Sequence, residues 1–196
     1  MNLLTLVGAL PLVGAALIYL IPTKDSELVK KFALLVTSLV ALAAIFLAVG
    51  FDKSITSLQY AQSYSWIPTF NINFALGIDG ISLVLILLST ILVPIVILAT
   101  WNESEGGRWS VKTFYVLILI LETMMVGVFA ASDLFLFYVF FEAMLIPVYF
   151  LIGGYGTGNR SAAAVKFLLY SLFGGLLMLS SVIGLYVIAG NQIGAT

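Results

Sequence analysis

Long apolar runs separated by short polar segments extend along the whole 196-residue chain. A bilayer core of about 30 Å requires roughly 20 residues of helix, so each uncharged run of that length is a candidate membrane span. Six runs meet this criterion, and they predict an all-α, polytopic bundle of about six transmembrane helices. The predicted spans are approximately residues 2–22, 32–51, 79–100, 113–131, 133–153 and 163–189.

The fourth and fifth spans each contain a glutamate, and only residues 131–133 separate the two spans. Such a short connection predicts an antiparallel helical hairpin. With its turn at Ser132, Glu122 lies ten residues before the turn and Glu142 ten residues after it. At 1.5 Å per residue, both carboxylates lie about 15 Å deep, near the bilayer midplane and at matching depth.

A carboxylate at that depth must pair with a cation, contact water or take up a proton. Glu122 and Glu142 are therefore predicted to be residues of a proton path; the alternative is that each carboxyl only bonds one helix to another. Tyrosines at helical spacing extend a possible polar stripe along each of the two helices. Tyr115 accompanies Glu122, and Tyr138 and Tyr149 accompany Glu142.

Two further features of the last spans bear on this path. Pro147 removes a backbone hydrogen bond from the turn after Glu142, which predicts a kink or a bound water, with a simple packing kink as the alternative. Lys166 lies about one turn into the sixth span, either as an anchor that snorkels to the interface or as an inward relay partner. Small residues in the same span predict close helix packing: Ser171, Gly174, Gly175, Ser181 and Gly184.

Basic residues indicate the orientation, because short loops that carry Lys and Arg stay in the cytoplasm. The first, third and fifth loops hold seven of the eight basic residues, and the opposite side holds Lys53. The N-terminus is therefore predicted to lie outside, and residues 52–78 form an outer amphipathic loop with interfacial aromatic side chains. The first span lacks a basic region before it and is predicted to be retained rather than cleaved.

Composition supports a membrane protein and limits its chemistry. Hydrophobic residues make up 62% of the chain and charged residues 9%, the mean hydropathy is +1.19, and the net charge is −1. There is no basic run that would indicate nucleic-acid binding. The chain has no cysteine and no histidine. These counts exclude disulfides, cysteine-ligated iron–sulfur clusters and histidine-ligated haem from this chain, so any redox cofactor belongs to a partner.

Three segments resemble the M-type subunit, or chain 4, of proton-pumping NADH:quinone oxidoreductase, respiratory complex I. They are FALGIDGISL (74–83), ASDLFLFYVFFEAMLIPVYFLIGGYG (131–156) and SAAAVKFLLY (161–170). The middle segment is the most specific, and the loop WNESEGGR resembles bacterial members. The resemblance implies an antiporter-like subunit in a bacterial cytoplasmic membrane, with helices one to three in residues 1–112 and the start of the first antiporter-like repeat in 113–196.

The resemblance also implies roles for residues. It identifies Glu142 with the fifth-helix glutamate of the family, which pairs with a lysine on the seventh helix and acts in proton translocation. Lys166 aligns with a sixth-helix lysine of several members, whereas Glu122 has no mapped counterpart. The implied protein is a non-redox subunit of a translocase. Its implied partners are other membrane-arm subunits, the lipid bilayer and protons, with flavin, iron–sulfur clusters and quinone on the partner subunits.

Family members have about 500 residues, so the resemblance predicts that this chain is the N-terminal part of a longer product, or a split or truncated subunit. The later-helix lysines are absent, and these residues alone would not complete a proton path. The sequence is also compatible with two other functions. One is a cation/proton antiporter or membrane-bound hydrogenase subunit with the same fold, and the other is a membrane scaffold without transport chemistry.

Overall fold

Six long helices form the structure, in agreement with the six predicted spans. The computed structural model describes residues 2–21, 25–102, 105 and 107–193. All six helices are long and apolar enough to cross a membrane. They are α1 (Leu3–Leu20), α2 (Ser26–Val49), α3 (Gly80–Ala99), α4 (Val111–Ala130), α5 (Leu134–Tyr155) and α6 (Arg160–Ile193).

The segment predicted as an outer amphipathic loop instead contains a β-hairpin. Strands β1 (Gln59–Ile67) and β2 (Ile72–Ile78) pair antiparallel, and the turn contains a short 3-10 helix, Pro68–Phe70. Asn71 closes the turn with φ of 53°, a left-handed conformation that asparagine tolerates. The pairing satisfies backbone groups of this segment within the chain.

Helices α1 to α4 enclose the main core, and α5 and α6 extend it in a row. α1 contacts α2 and α4, α3 contacts α2 and α4, α5 packs on α4, and α6 packs on α5. Close approach depends on small residues, since lipid is as apolar as the side chains and gives helices little hydrophobic reason to associate. A side chain at Gly14 of α1, for example, would place its Cβ 2.5 Å from Val36 Cγ1 of α2.

One end of the bundle gathers most of the described basic residues, as their loop positions predicted. Lys30, only 1% exposed, lies in the first turns of α2 and donates to Glu105 Oε1 at 2.6 Å and to Glu27 Oε1 at 3.1 Å. Its ammonium group also lies 5.7 Å from the centre of the Trp101 ring. Lys30 was predicted only as a loop charge that sets orientation. The structure instead buries it in an ion pair that ties α2 to the segment between α3 and α4.

Further contacts at this basic end join the remaining loops. Lys112, in the first turn of α4, donates to the backbone carbonyls of Tyr19 and Ile21 at the end of α1. These carbonyls have no partner further along the helix, and a cation there also suits the helix dipole. The backbone N–H of Arg108 donates to the Gly154 carbonyl near the end of α5 at 2.8 Å. The first, third and fifth loops therefore lie at the same end of the molecule.

Gly154 permits the close contact between α5 and the segment before α4. A Cβ at this position would lie 2.4 Å from Trp109 Cε3, whereas a Cβ at the neighbouring Gly153 would lie 3.5 Å from Ala164 Cβ, an ordinary contact. We expect Gly154→Ala to lower the free energy of unfolding by about 1–3 kcal/mol because the indole must move. Gly153→Ala is the matched control and should change it by about 0.5 kcal/mol or less. Melting temperatures of the purified protein in detergent measure both, and equal values would contradict the prediction.

The opposite end, which we call the hairpin end, carries β1 and β2 across the ends of several helices. Asn2 Nδ2 donates to the Tyr60 carbonyl at 2.7 Å, which attaches the start of α1. The backbone N–H of Ser132 donates to the Ala75 carbonyl at 2.9 Å, so β2 also holds the turn between α4 and α5. Asp79 caps α3 by accepting from the Ser82 N–H at 2.7 Å. This hydrogen bond lowers the pKa of Asp79.

Candidate functional site

The two intramembrane glutamates occupy equivalent positions in an antiparallel helix pair. Glu122 lies eight residues before Ala130, the last residue of α4, and Glu142 lies eight residues after Leu134, the first residue of α5. At 1.5 Å per residue, each is about 12 Å from the end of its helix nearest the turn. The predicted hairpin is therefore confirmed, and its helix ends agree with the expected matching depth.

The glutamates nevertheless point to opposite sides of the α4–α5 pair. Phe140 of α5 packs over Gly127 of α4, where an added Cβ would lie 2.5 Å from Phe140 Cδ1. Residues in a helix follow one another at about 100°, so Glu142 projects about 200° from Phe140, away from α4. By the same rule Glu122 projects about 140° from Gly127, away from α5. Equal depth does not bring the two carboxylates together.

Glu122 lies inside the α1–α4 core. It is 0% exposed, and it shares its helix face with Tyr115, Leu119 and Val126, all buried. Neither of its carboxylate oxygens has a hydrogen-bond partner within the part of the chain that the structure describes. The alternative that Glu122 bonds one helix to another therefore has no hydrogen bond to support it there.

Glu142 lies in the contact between α5 and α6. Its Oε1 is buried, also without a hydrogen-bond partner among the described residues, and it lies directly over Gly175 of α6. Gly153 of α5 meets Ala164 of α6 in the same contact. Eleven residues separate the two positions on each helix, so both contacts fit one antiparallel register. Glu142 thus faces α6.

Lys166 lies on the side of α6 that faces away from Glu142. Ala164 and Gly175 face α5, and Lys166 follows Ala164 by two residues, which places it about 200° around the helix. Its side chain is exposed. It also precedes Gly175 by nine residues, or about 14 Å along the axis. No contact in the described chain joins Lys166 to Glu142, and an inward relay role would require a group on the other side of α6.

The predicted tyrosines fall into the two stripes that their spacing indicated. Tyr115 is fully buried on the face of α4 that carries Glu122. Tyr138 and Tyr149, four residues before and seven residues after Glu142, are half-buried on the α6-facing side of α5. Pro147 is buried, and α5 continues through it as one helix. The missing amide leaves the carbonyl four residues earlier, at Ala143, free to accept a hydrogen bond next to Glu142.

The arrangement suits groups that gain and lose protons. Both ion pairs found among the described residues involve Lys30, so neither intramembrane carboxylate has a cation there. A buried, unpaired carboxyl can be neutral in the membrane and ionise when water or a cation reaches it. Thr123, next to Glu122 in sequence, also has a buried hydroxyl without a partner in this part of the chain. It borders an apolar cavity of about 200 Å³ between α1, α4, α5 and β2.

Sequence reasoning missed two residues that shape this region. Asp133 accepts hydrogen bonds from the backbone of Phe135 and Leu136 at the start of α5 and from the Asn73 N–H of β2. An aspartate directly before an apolar run is a recognisable helix cap, so the first of these roles was readable. Gly175 was predicted only as a small packing residue. Its contact with a carboxylate depends on how α5 and α6 are rotated, which no local signal specifies.

The fold and these carboxylates define a class: a multi-pass membrane protein built like the antiporter-like subunits of ion-translocating complexes. Residues 13–128 match the family described as NADH-ubiquinone oxidoreductase chain 4, amino terminus. Residues 131–195 match the family described as NADH:quinone oxidoreductase/Mrp antiporter, TM. The chain belongs to the NADH-ubiquinone oxidoreductase chain 4 family.

Individual relatives agree with this assignment. NADH-quinone oxidoreductase subunit M of Mycobacterium tuberculosis is 42% identical over 96% of this chain and 39% of its own length. F(420)H(2) dehydrogenase subunit M of Methanosarcina mazei is 37% identical over 94% of this chain and 36% of its own. A chain of respiratory complex I from Thermus thermophilus superposes with a TM-score of 0.80 at 30% identity, covering 95% of this chain and 36% of that one. The chain thus spans less than two-fifths of the length of these relatives.

Proposed function

We propose that this chain is a membrane-arm subunit of a bacterial NADH:quinone oxidoreductase and takes part in proton translocation coupled to quinone reduction. It contributes no redox centre; flavin, iron–sulfur clusters and quinone lie on partner subunits in the same cytoplasmic-membrane complex. Family membership supports the assignment. The observation that carries it is the half-buried Glu142 carboxylate in the α5–α6 contact, whose Oε1 is buried and unpaired within the described chain.

Glu142 is the proposed principal proton-path residue. Its position between two helices allows water or a cation to approach from α6 without disturbing the α1–α4 core. Glu122 is a second proposed proton-binding residue, enclosed in that core and separated from Glu142 by the Phe140–Gly127 contact. Tyr138 and Tyr149 extend the polar surface on the Glu142 side, and Tyr115 does so on the Glu122 side. Lys166 takes part in the path only through a further group, one that contacts the side of α6 facing away from α5.

A tagged version of this chain, expressed in the bacterium that carries its gene, tests the proposal. We expect the tag to isolate a membrane complex that contains flavin and iron–sulfur clusters and reduces quinone with NADH. Inside-out vesicles should acidify when NADH is added, and deletion of the gene should abolish that acidification. Isolation of a complex without NADH:quinone reductase activity would contradict the proposal.

The second candidate is a subunit of a cation/proton antiporter, which the match of residues 131–195 favours because that family includes the Mrp antiporter. The same vesicles discriminate between the two functions. An antiporter subunit predicts that added Na⁺ or K⁺ dissipates a preformed proton gradient without NADH, and that deletion of the gene removes this effect. A respiratory subunit predicts that the cation effect is unchanged by the deletion.

A further inference from the structure

Gly175 lies directly beneath the carboxylate of Glu142. A Cβ built at Gly175 would be 1.5 Å from Oε1, 2.7 Å from Cδ and 3.3 Å from Oε2 of Glu142. The carboxyl group therefore occupies the volume that any side chain at position 175 would fill. Two other glycines of α6, Gly174 and Gly184, have no atom within 4 Å of an added Cβ. The need for glycine at position 175 comes from Glu142, because the three atoms nearest an added Cβ all belong to its carboxyl group.

The backbone of α5 has little freedom to move away from this contact. On the other side of α5, two residues before Glu142, Phe140 lies over Gly127 so closely that an added Cβ would be 2.5 Å from its ring. Glycines on α4 and α6 thus bracket the same turn of α5 from opposite sides. A side chain added at position 175 would displace the flexible end of Glu142 more easily than it would shift the helix.

We propose that Gly175 is a positioning residue, whose missing side chain forms the slot that seats the Glu142 carboxylate between α5 and α6. This inference rests on the proposed function of Glu142. Proton transfer depends steeply on the placement of the donor and acceptor, and a misplacement of about 1 Å can reduce a rate about 100-fold. Gly175 therefore acts through Glu142, by determining where the carboxyl group meets its proton donors and acceptors.

The test compares Gly175→Ala with Gly174→Ala in the intact complex. Both changes add one methyl group to α6, but only the first meets the Glu142 carboxylate. We expect Gly175→Ala to assemble normally and to lower the initial rate of NADH-driven acidification of inside-out vesicles by about tenfold or more. Gly174→Ala should keep the parental rate. Equal rates in the two variants, at equal amounts of assembled complex, would overturn the proposal.

A rescue variant distinguishes positioning from a general packing defect. Aspartate at position 142 is one methylene shorter, so its carboxyl group withdraws from the slot by about 1.5 Å. If Gly175 acts by seating the carboxylate, Glu142→Asp combined with Gly175→Ala should be no slower than Glu142→Asp alone. If the two losses multiply, Gly175 acts independently of Glu142 and the proposal is wrong.

Failure of this inference is distinguishable from failure of the proposed function. Full proton translocation by Glu142→Gln would remove the function on which the inference rests. Loss of translocation by Glu142→Gln, together with a parental rate for Gly175→Ala, would leave Glu142 in the proton path and refute only the positioning role of Gly175.

Discussion

Glu142→Gln is expected to reduce NADH-driven proton translocation about 100-fold or more while the complex remains assembled. Glutamine has the shape of glutamate but cannot release a proton at neutral pH, and loss of a positioned proton-transfer group typically costs about 10²–10⁴-fold. The native carboxylate makes no hydrogen bond to another described residue, so the amide breaks no such contact. The initial rate of dye-reported acidification in inside-out vesicles measures the effect, normalised to the amount of complex.

Glu122→Gln is the matched control, because Glu122 lies the same number of residues from its helix end and also has no hydrogen-bond partner in the described chain. The two residues differ in the helices that surround their side chains. We expect a smaller loss from Glu122→Gln, because its carboxyl group lies inside the α1–α4 core and not at the α5–α6 contact. The assignment of Glu142 as the principal residue would be refuted if Glu122→Gln stopped translocation and Glu142→Gln did not.

Asp133→Ala is expected to destabilise the protein by about 2–4 kcal/mol, the largest stability effect that we predict for a single polar side chain. One carboxylate oxygen accepts from Phe135 N–H at 2.9 Å and from Leu136 N–H at 3.1 Å, which caps α5. The other accepts from Asn73 N–H at 3.0 Å in β2. The substitution therefore loosens the start of the helix that carries Glu142 and detaches it from the hairpin. A lower melting temperature of the purified protein in detergent would show it.

Two variants identify which of these bonds matters. Asp79→Ala also removes a helix cap, but among the described residues the Asp79 side chain bonds only to Ser82 within α3, so its cost should be about 1 kcal/mol. Asp133→Asn keeps a capping oxygen and loses the charge, so it should fall between Asp133→Ala and the parent protein. An Asp133→Ala cost no greater than that of Asp79→Ala would mean that the bond to Asn73 contributes nothing.

The number of helices, their approximate ends and the matching distances of the two glutamates from the turn could all be predicted from the sequence. Each depends on the length of an uncharged run or on a count of residues from a tight turn, and both quantities are local. The grouping of basic residues at one end was readable for the same reason, because alternate loops of a helical bundle lie on the same side. Whether that end faces the cytoplasm stays a prediction from the distribution of Lys and Arg.

The β-hairpin could be predicted from the sequence in part. Tyr60, Tyr64 and Trp66 fall on alternate positions before a Pro-containing turn, a pattern typical of a strand entering a hairpin. The same aromatic residues are typical of a membrane interface, which led to the expectation of an interfacial loop. The pairing partner, β2, also alternates, since large apolar residues occupy every second position of INFALGI (72–78), but this stretch runs directly into the apolar sequence of α3. The structure resolves this choice in favour of two strands that pair across the short turn, with Ile67 opposite Ile72.

The rotation of each helix about its own axis was decided only by the tertiary structure. α5 is apolar apart from one narrow stripe, formed by Tyr138, Glu142 and Tyr149, and its sequence does not indicate which neighbouring helix that stripe meets. Phe140 over Gly127 and Glu142 over Gly175 determine that rotation through shape, by contacts between residues that are distant in the chain. The sequence thus determined that two carboxylates lie on neighbouring apolar helices, the same number of residues from the turn between them. Packing determined that Glu122 faces the α1–α4 core and Glu142 faces α6, because the contacts of side chains with glycines depend on α4, α5 and α6 together.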